Sequence, residues 1–207
     1  MSWADWLKRP GPDVAPMLLG AVLTSRTDEG QVAVSLTEVE AYDGPADPAS
    51  HAWRGRSPRN AVMFGPPGFL YVYLSYGMHW CANVVTGPDG AASAVLLRAG
   101  RVVLGHDLAR SRRGPGVADR ALARGPACLT RALAIGRTHN GLDLSPGHTL
   151  SLEPGPRLHA VSVGPRVGVS RAAEVPWRFW VTGDETVSAY RRSPRASPPP
   201  VPNDPTW

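Results

Sequence analysis

The stretch SLTEVEAYDG, residues 35–44, ends what reads as a β-strand, yet it carries acids where a buried strand is apolar. Side chains two positions apart share one face of a strand. The face that includes the acids is made of Val32, Val34, Leu36, Glu38, Glu40 and Tyr42. We therefore predict a strand face that begins with three aliphatic side chains and ends with two carboxylates and a tyrosine. Acids placed there need either paired cations or a chemical role.

The segments around this strand predict further strands and two helices. AVLTS precedes it across the turn RTDEGQ, which predicts a β-hairpin. GFLYVYLSYGMHWCANVV, residues 68–85, reads as two strands around a tight turn near Gly77. Shorter strands are predicted at SAVLLRAG, TLSLEP, PRVGVS and WRFWVTG, and helices at DVAPMLLGAVL, with Asp13 as its N-cap, and at GPACLTRALAIG. Strands mixed with a few helices indicate an α+β domain.

The chain is long enough for one domain with tails, since it has 207 residues, of which 43% are hydrophobic. We expect residues 1–12 to be a flexible N-terminal segment, residues 13–190 to form the domain, and the proline-rich residues 191–207 to be a disordered tail. Residues 43–68 are dense in glycine, proline and arginine, and a loop this long is typically functional or disordered. Residues 101–124 carry six arginines on poorly defined helical or loop structure.

Composition narrows the class of protein. No apolar run is long enough to span a bilayer and the N-terminus lacks the order of a signal peptide, so we expect a soluble, cytoplasmic protein. Cys81, Cys128 and the six histidines stand in no metal-binding spacing, so we expect no metal site and two buried, reduced cysteines. The net charge is +5, and Lys8 is the only lysine among 22 basic residues. This charge gives modest support to a polyanionic partner.

Aromatic side chains and a basic loop follow the acidic strand. Tyr71 and Tyr73 share one face of the first strand of the predicted second hairpin, and Tyr76 lies at its turn, where polar residues are usual. An aromatic wedge at a hairpin tip suits insertion between stacked bases. The loop SHAWRGRSPRN, residues 50–60, supplies His51 and guanidinium groups that suit phosphate contacts. Together with a carboxylate, these features fit an enzyme that acts on a base flipped out of a duplex.

With these residues the chain resembles the alkyladenine (3-methyladenine) DNA glycosylases. The match rests on EVEAYDGPADPASHAWRGRSPRNAVMFGPPGFLYVYLSYGMHWCANVV and continues through ASAVLLRAG, GPACLTRALAI, NGLDL and RVGVSRAAE, so that it covers most of residues 13–183. The resemblance implies a single α+β domain with a mainly antiparallel, curved β-sheet flanked by helices. It also implies base excision repair of double-stranded DNA, by hydrolysis of the N-glycosidic bond of alkylated or deaminated purines.

The resemblance further implies the residues that carry out the reaction. Glu40 acts as the general base, and Arg98 helps to hold the abasic sugar, its phosphate and the water. The backbone around Val169 borders the water site. Glu38 falls beside the matching motif, and we assign it a structural role.

Two further groups of residues follow from the same resemblance. The base pocket is lined by Tyr42, His51, Tyr73 and Asn83. Asn83 discriminates among purines by crowding an exocyclic amino group. The residues expected to contact DNA are Tyr76 and Met78, by intercalation, and Arg59 and Arg171.

Charge suggests how the bond is broken. Cleavage of the C1′–N9 bond builds oxocarbenium character on the sugar, as in glycoside hydrolysis, and an ionised Glu40 can stabilise that charge and orient a water. Glycosylases that also cut the strand use an amine to form a Schiff base, and Lys8 lies outside the matching region. We therefore predict a monofunctional enzyme without lyase activity, which acts as a monomer and needs no cofactor and no obligate protein partner.

Two other interpretations remain open at the level of sequence. In a carbohydrate hydrolase, Glu38 and Glu40 at about 7 Å would form an inverting acid–base pair, but the basic loops would have no role. In a non-catalytic nucleic-acid-binding module, GFLYVYL would be an aromatic RNA-binding strand, but its leading basic residue is absent. Salt-dependent binding to DNA distinguishes the first of these from a glycosylase, and the effect of Glu40→Gln distinguishes the second.

Overall fold

In the described part of the chain, nine strands join one open β-sheet, and three α-helices accompany it. The computed structural model describes residues 4–156 and 158–197. The elements in chain order are α1 (Gly11–Leu18), β1 (Val22–Thr27), β2 (Gly30–Tyr42), β3 (Leu70–Ser75), β4 (His79–Val85), β5 (Ala94–Leu104), α2 (His106–Arg113), β6 (Ala123–Arg124), α3 (Pro126–Ala132), β7 (Leu150–Glu153), β8 (Val161–Gly164) and β9 (Arg178–Val181). The prediction of a single α+β domain with a mainly antiparallel sheet is confirmed.

The long strand β2 is the centre of the sheet. The strand order is β3-β4-β5-β2-β1-β7, with β6 added beside β5, and β9 pairs with both β2 and β8. Both predicted hairpins are present, β1–β2 with Thr27 opposite Gly30 and β3–β4 with Ser75 opposite His79. The sheet therefore places the far end of β2 next to the start of β5, and the second hairpin next to β5 through its second strand, β4.

The pairing of β2 with β5 is irregular, and this changes which side chains face the core. The register shifts between Leu36 and Glu38 and again between Glu38 and Val39. The core residues of β2 are Val32, Val34 and Leu36 before the shift but Val39 and Ala41 after it. The prediction that both glutamates share the face of the three aliphatic residues is therefore wrong. The irregularity carries Glu38 and Glu40 away from that core and toward Arg98, the residue of β5 that the register skips.

The N-terminal residues pack onto the domain. Residues Asp5–Lys8 form a short 3-10 helix, and Leu7 is fully buried in the main core. Its carbonyl accepts a hydrogen bond of 2.9 Å from the backbone of Gly87. The described part of residues 1–12 thus belongs to the folded domain, in contrast to the flexible segment expected; residues 1–3 lie outside the described residues.

Several local predictions are wrong. Helix α1 begins at Gly11 after Pro10, and Asp13 lies inside its first turn without a side-chain capping bond. PRVGVS, residues 165–170, is not a strand but a loop, and β8 lies just before it. The segment 101–124 is ordered as the end of β5, α2, a 3-10 turn and β6. Cys81 is buried as expected, whereas Cys128 is only partly buried.

The expected tail is described only in its first part. Residues 191–197 contact the domain, where the carbonyl of Arg191 accepts a hydrogen bond from Gly168 and Arg192 pairs with Glu174. The rest of that prediction, for residues 198–207, lies outside the described residues. Within the described ranges, no helix is long and apolar enough to cross a membrane.

Candidate active site

A cavity of about 710 Å³ opens where β2, β3, β4 and β5 meet two loops, the loop between β2 and β3 and the loop after β8. This volume is typical of a small-molecule site. Its aromatic and polar lining includes Tyr42, His51, Tyr71, Tyr73, Asn83 and Arg98. Met63, Cys81 and Leu96 add apolar surface, and the loop after β8 contributes Val167, Gly168 and Val169. All four residues predicted to form a base pocket therefore border one cavity.

Glu40 lies directly behind this wall. Its Oε2 accepts a hydrogen bond of 2.9 Å from the Tyr42 hydroxyl and lies 3.4 Å from Nη1 of Arg98. Its Oε1 accepts a hydrogen bond of 2.6 Å from the backbone N–H of Val167. The side chain is fully buried, so the carboxylate itself does not border the cavity. The three groups that bind the carboxylate are themselves part of the cavity wall.

Glu38 is occupied by a separate set of donors. Its carboxylate accepts hydrogen bonds from the Nε atoms of Arg98 (2.8 Å) and Arg178 (2.7 Å). The backbone N–H and hydroxyl of Ser188 add bonds of 2.7 and 2.9 Å. Burial opposes its charge, but Arg98, the Ser188 N–H and Arg178 outweigh burial and lower its pKa. Glu38 joins β2, β5, β9 and the segment after β9, and does not border the cavity.

Arg98 links the two glutamates. Besides its bond to Glu38, it donates to the Ser188 hydroxyl at 3.3 Å and faces Glu40. Burial opposes its charge, but the Glu40 and Glu38 carboxylates raise its pKa above the ordinary range. Arg98 therefore stays cationic at the cavity wall, where it compensates the charge of Glu40.

Tyr42 is fixed from behind by a buried ion pair. The Arg166 guanidinium lies 4.7 Å from the centre of the Tyr42 ring and makes two bonds, of 2.6 and 2.9 Å, to the Asp47 carboxylate. It also donates to the carbonyl of Ala41 at 2.9 Å. Burial and the Glu40 charge raise the pKa of Tyr42 well above its usual value, so its hydroxyl remains a donor to Glu40.

His51 and the tyrosines of β3 form the opposite wall. The His51 ring lies edge-on to Tyr73, with centroids 4.4 Å apart, and its Nδ1 is 3.0 Å from the Tyr71 hydroxyl. Partial burial and the Arg59 charge lower the pKa of His51. Burial raises the pKa of Tyr71 to about 12, and burial also raises that of Tyr73. Both phenols and the imidazole are therefore neutral at neutral pH.

Asn83 lies on β4 between Tyr71 and Leu96 of the flanking strands. Its Nδ2 donates a hydrogen bond of 3.0 Å to the carbonyl of Tyr71, which fixes the orientation of the amide. The side chain is buried and borders the cavity. A rigid polar group at this place can distinguish bases by the groups on their edge.

The tip of the β3–β4 hairpin projects into solvent at the mouth of the cavity. Tyr76 is 84% exposed and Met78 is 70% exposed, although both are large and apolar. Tyr76 also borders the cavity. Arg59 and Arg171, the other residues expected to contact DNA, are exposed and border the same opening.

Some site residues were missed by the sequence analysis. The N–H that binds Glu40 belongs to Val167, whereas Val169, the predicted residue, borders the cavity two positions further on. Asp47 and Arg166 had no predicted role, and Tyr71 was assigned only to a strand face. The sequence signal for Tyr71 is its place beside Tyr73 on one strand face in LYVYL, which could have indicated a second pocket tyrosine on this strand. Among the described residues, no cluster of histidine, cysteine or acidic side chains could hold a metal ion.

Comparison with known proteins identifies the family of the chain. The family model described as "Methylpurine-DNA glycosylase (MPG)" matches residues 5–185. Proteins from Nocardia farcinica and Streptomyces avermitilis are 57% and 53% identical over 193 and 192 residues, covering 89% and 90% of this chain and the same shares of those proteins. A Cutibacterium acnes protein is 50% identical over 192 residues, which cover 89% of this chain and 98% of that protein. All three are named "Putative 3-methyladenine DNA glycosylase". The chain belongs to the methylpurine-DNA glycosylase family.

Proposed function

We propose that the protein is a monofunctional DNA glycosylase that hydrolyses the N-glycosidic bond of alkylated or deaminated purines flipped out of double-stranded DNA. Family membership supports the glycosylase activity. The observation that carries the mechanism is the Glu40 carboxylate, held by Tyr42, Arg98 and Val167 directly behind an aromatic cavity.

The aromatic walls suit a purine without selecting one base. A base that enters the cavity meets Tyr42, His51 and Tyr73, whose ring faces and edges can stack on any purine. Such stacking contributes about 1–3 kcal/mol per base. The neutral state of these side chains avoids repulsion with a purine made cationic by alkylation. Asn83 provides the polar contact that selects among bases.

In the proposed reaction, a water oxygen attacks C1′ while the C1′–N9 bond breaks and its electron pair leaves with the base. Glu40 orients this water, accepts its proton and stabilises the positive charge that builds on the sugar. Because Glu40 is fully buried, water reaches it only when one of its contacts opens. We place that opening at Val167, the one contact that comes from a loop rather than from a strand.

The first test is Glu40→Gln. This variant keeps the size of the side chain but loses the negative charge, so we expect base release to fall by at least about a hundredfold. Binding to the lesion duplex should stay equal or become tighter. Release of free base from duplexes that contain hypoxanthine or 7-methylguanine measures the first effect, and a gel-shift titration measures the second.

The matched control is Glu29→Gln, which removes a surface carboxylate that pairs with Arg112 far from the cavity. It should release base at the wild-type rate. If Glu40→Gln and Glu29→Gln are equally active, Glu40 is not the general base. A carbohydrate hydrolase based on Glu38 and Glu40 has little support, because four donors already occupy Glu38.

The absence of lyase activity is a separate prediction. Lys8 is exposed, pairs with Asp5 at 2.7 Å and does not border the cavity. No side-chain amine is therefore in place to form a Schiff base with C1′. We expect the DNA strand to stay intact until alkali is added, and borohydride to trap no protein–DNA adduct. A trapped adduct that disappears in Lys8→Arg would contradict this assignment.

A further inference from the structure

Trp53 stands in a wall between two cavities. A second cavity of about 430 Å³ lies beside the base pocket. The residues that border both cavities are Pro48, Trp53, Ser170 and Arg171. Trp53 has the largest side chain of these, and 37% of its surface is exposed. Its indole therefore limits how far the base pocket extends toward the neighbouring space.

The indole is held in place by cations. The Arg171 guanidinium lies 4.4 Å from the centre of the Trp53 ring, and the Arg54 guanidinium lies 5.6 Å from it. Cation–π contacts of this kind fix the orientation of a ring at a surface. Arg171 belongs to the loop after β8, whereas Trp53 belongs to the loop between β2 and β3, so the stacked pair closes the wall across two loops.

The backbone that carries Trp53 is also braced. Asn60 is buried and its Nδ2 donates to the carbonyls of His51 (2.9 Å) and Gly55 (3.0 Å), on either side of Trp53. The N–H of Trp53 itself bonds to the carbonyl of Ser50 at 3.2 Å. Hydrogen bonds thus hold the wall at its backbone and cation–π contacts hold it at its ring, as a boundary that selects by size requires.

We propose that the stacked pair of Trp53 and Arg171 sets the upper size limit of the bases that this enzyme excises. This inference rests on the proposed glycosylase activity. A purine with a methyl group fits the base pocket with the wall in place. A purine with a bulky aromatic substituent needs the second cavity, which the indole separates from the pocket.

The test compares substrates that differ only in size. 7-Methylguanine and 7-benzylguanine are both cationic and have the same leaving nitrogen, and 3-methyladenine and 3-benzyladenine form a second matched pair. Single-turnover release is measured for each in the same duplex. In Trp53→Ala, we expect the benzyl-to-methyl rate ratio to rise about tenfold in at least one pair, because hydrophobic walls discriminate by such factors.

Control variants show whether a change in the benzyl-to-methyl ratio comes from opening the wall or from the general loss of an aromatic ring or a charge. Trp53→Phe keeps a ring and should change the ratio much less than Trp53→Ala. Arg171→Leu removes the cation that holds the indole and should raise the ratio by a smaller factor. Arg56→Leu removes an exposed arginine that borders neither cavity, so it should leave the ratio unchanged.

The inference and the proposed function fail in different ways. If the wild-type protein releases no methylated base, the proposed function is wrong. If it does, but Trp53→Ala leaves both benzyl-to-methyl ratios unchanged, the size limit lies elsewhere. If Trp53→Ala instead lowers all rates equally and weakens DNA binding, Trp53 contacts flanking DNA and does not set the size limit. Circular dichroism and a melting curve check that each variant is folded.

Discussion

At the scale of single residues, Tyr76 has an unfavourable backbone conformation. It lies at φ 51° and Gly77 lies at φ 69°, so both central residues of the β3–β4 turn are in the left-handed region. Such turns match the twist of a hairpin but favour glycine, asparagine or aspartate. A tyrosine there costs about 1 kcal/mol or more. Strain at an exposed aromatic beside the cavity supports the proposal that this side chain acts as a wedge in DNA.

This strain leads to a prediction about stability and activity together. Tyr76→Asn should raise the free energy of unfolding by about 0.5–1 kcal/mol, because asparagine tolerates positive φ. It should also slow base release, and more so from a well-paired duplex than from a mismatched one, since pairing adds to the cost of flipping. Chemical denaturation and single-turnover rates on the two duplexes measure these effects.

Tyr76→Ala is the matched comparison, because it removes the ring but keeps a residue that disfavours positive φ. It should lose activity as Tyr76→Asn does, without the gain in stability. Equal rate losses on paired and mismatched duplexes would argue against a wedge, and equal stability of the two variants would argue against strain at this position.

At the scale of elements, the sequence predicts strands and their pairing best where the contacts are local. The β3–β4 hairpin follows from alternation and from one turn, and the strand face that Tyr71 and Tyr73 were predicted to share borders the cavity. The irregular pairing around Glu38 was not predictable in this way. It arises where β2 and β5 each place one residue out of register, Thr37 and Arg98, and no pattern within either strand marks this position.

Contacts between distant loops account for most of the missed site residues. Arg166 and Asp47 are 119 positions apart, and Val167 and Glu40 are 127 positions apart. The alternation in PRVGVS predicted a strand, but the segment is a loop that borders the cavity and is anchored by the buried ion pair of Arg166 with Asp47. Contacts between residues this far apart in the chain depend on the assembled fold, so periodicity in the sequence does not predict them.

At the scale of the whole molecule, two arginines of α2 differ from those at the mouth of the cavity in whether a carboxylate pairs with them. In and beside α2, Arg110 pairs with Asp107 and Asp119, and Arg112 pairs with Glu29. The arginines around the mouth of the cavity have no carboxylate partner in the described part of the chain; they are Arg54, Arg59 and Arg171. These three guanidinium groups therefore keep uncompensated positive charge where DNA is proposed to bind.

Stability of the whole fold should depend on the ionisation of Glu38. Its pKa in the folded protein lies below the ordinary value of 4.5, so folding favours the charged form. The stability that this carboxylate contributes is complete above about pH 4.5 and is lost as pH falls through the folded pKa. Since Glu38 ties β2, β5, β9 and Ser188 together, its protonation should loosen the domain as one unit.

Glu38→Gln tests this dependence. It should lower the free energy of unfolding at pH 7 by about 3 kcal/mol, because buried guanidinium groups lose their partner, and should flatten the acid side of the stability curve. Ser188→Ala removes a single hydroxyl and should cost only about 1 kcal/mol while keeping the dependence on pH. Glu29→Gln, a surface control, should follow the wild-type curve. Denaturant unfolding between pH 3 and 7 gives all four curves, and parallel curves for wild type and Glu38→Gln would show that other carboxylates govern acid unfolding.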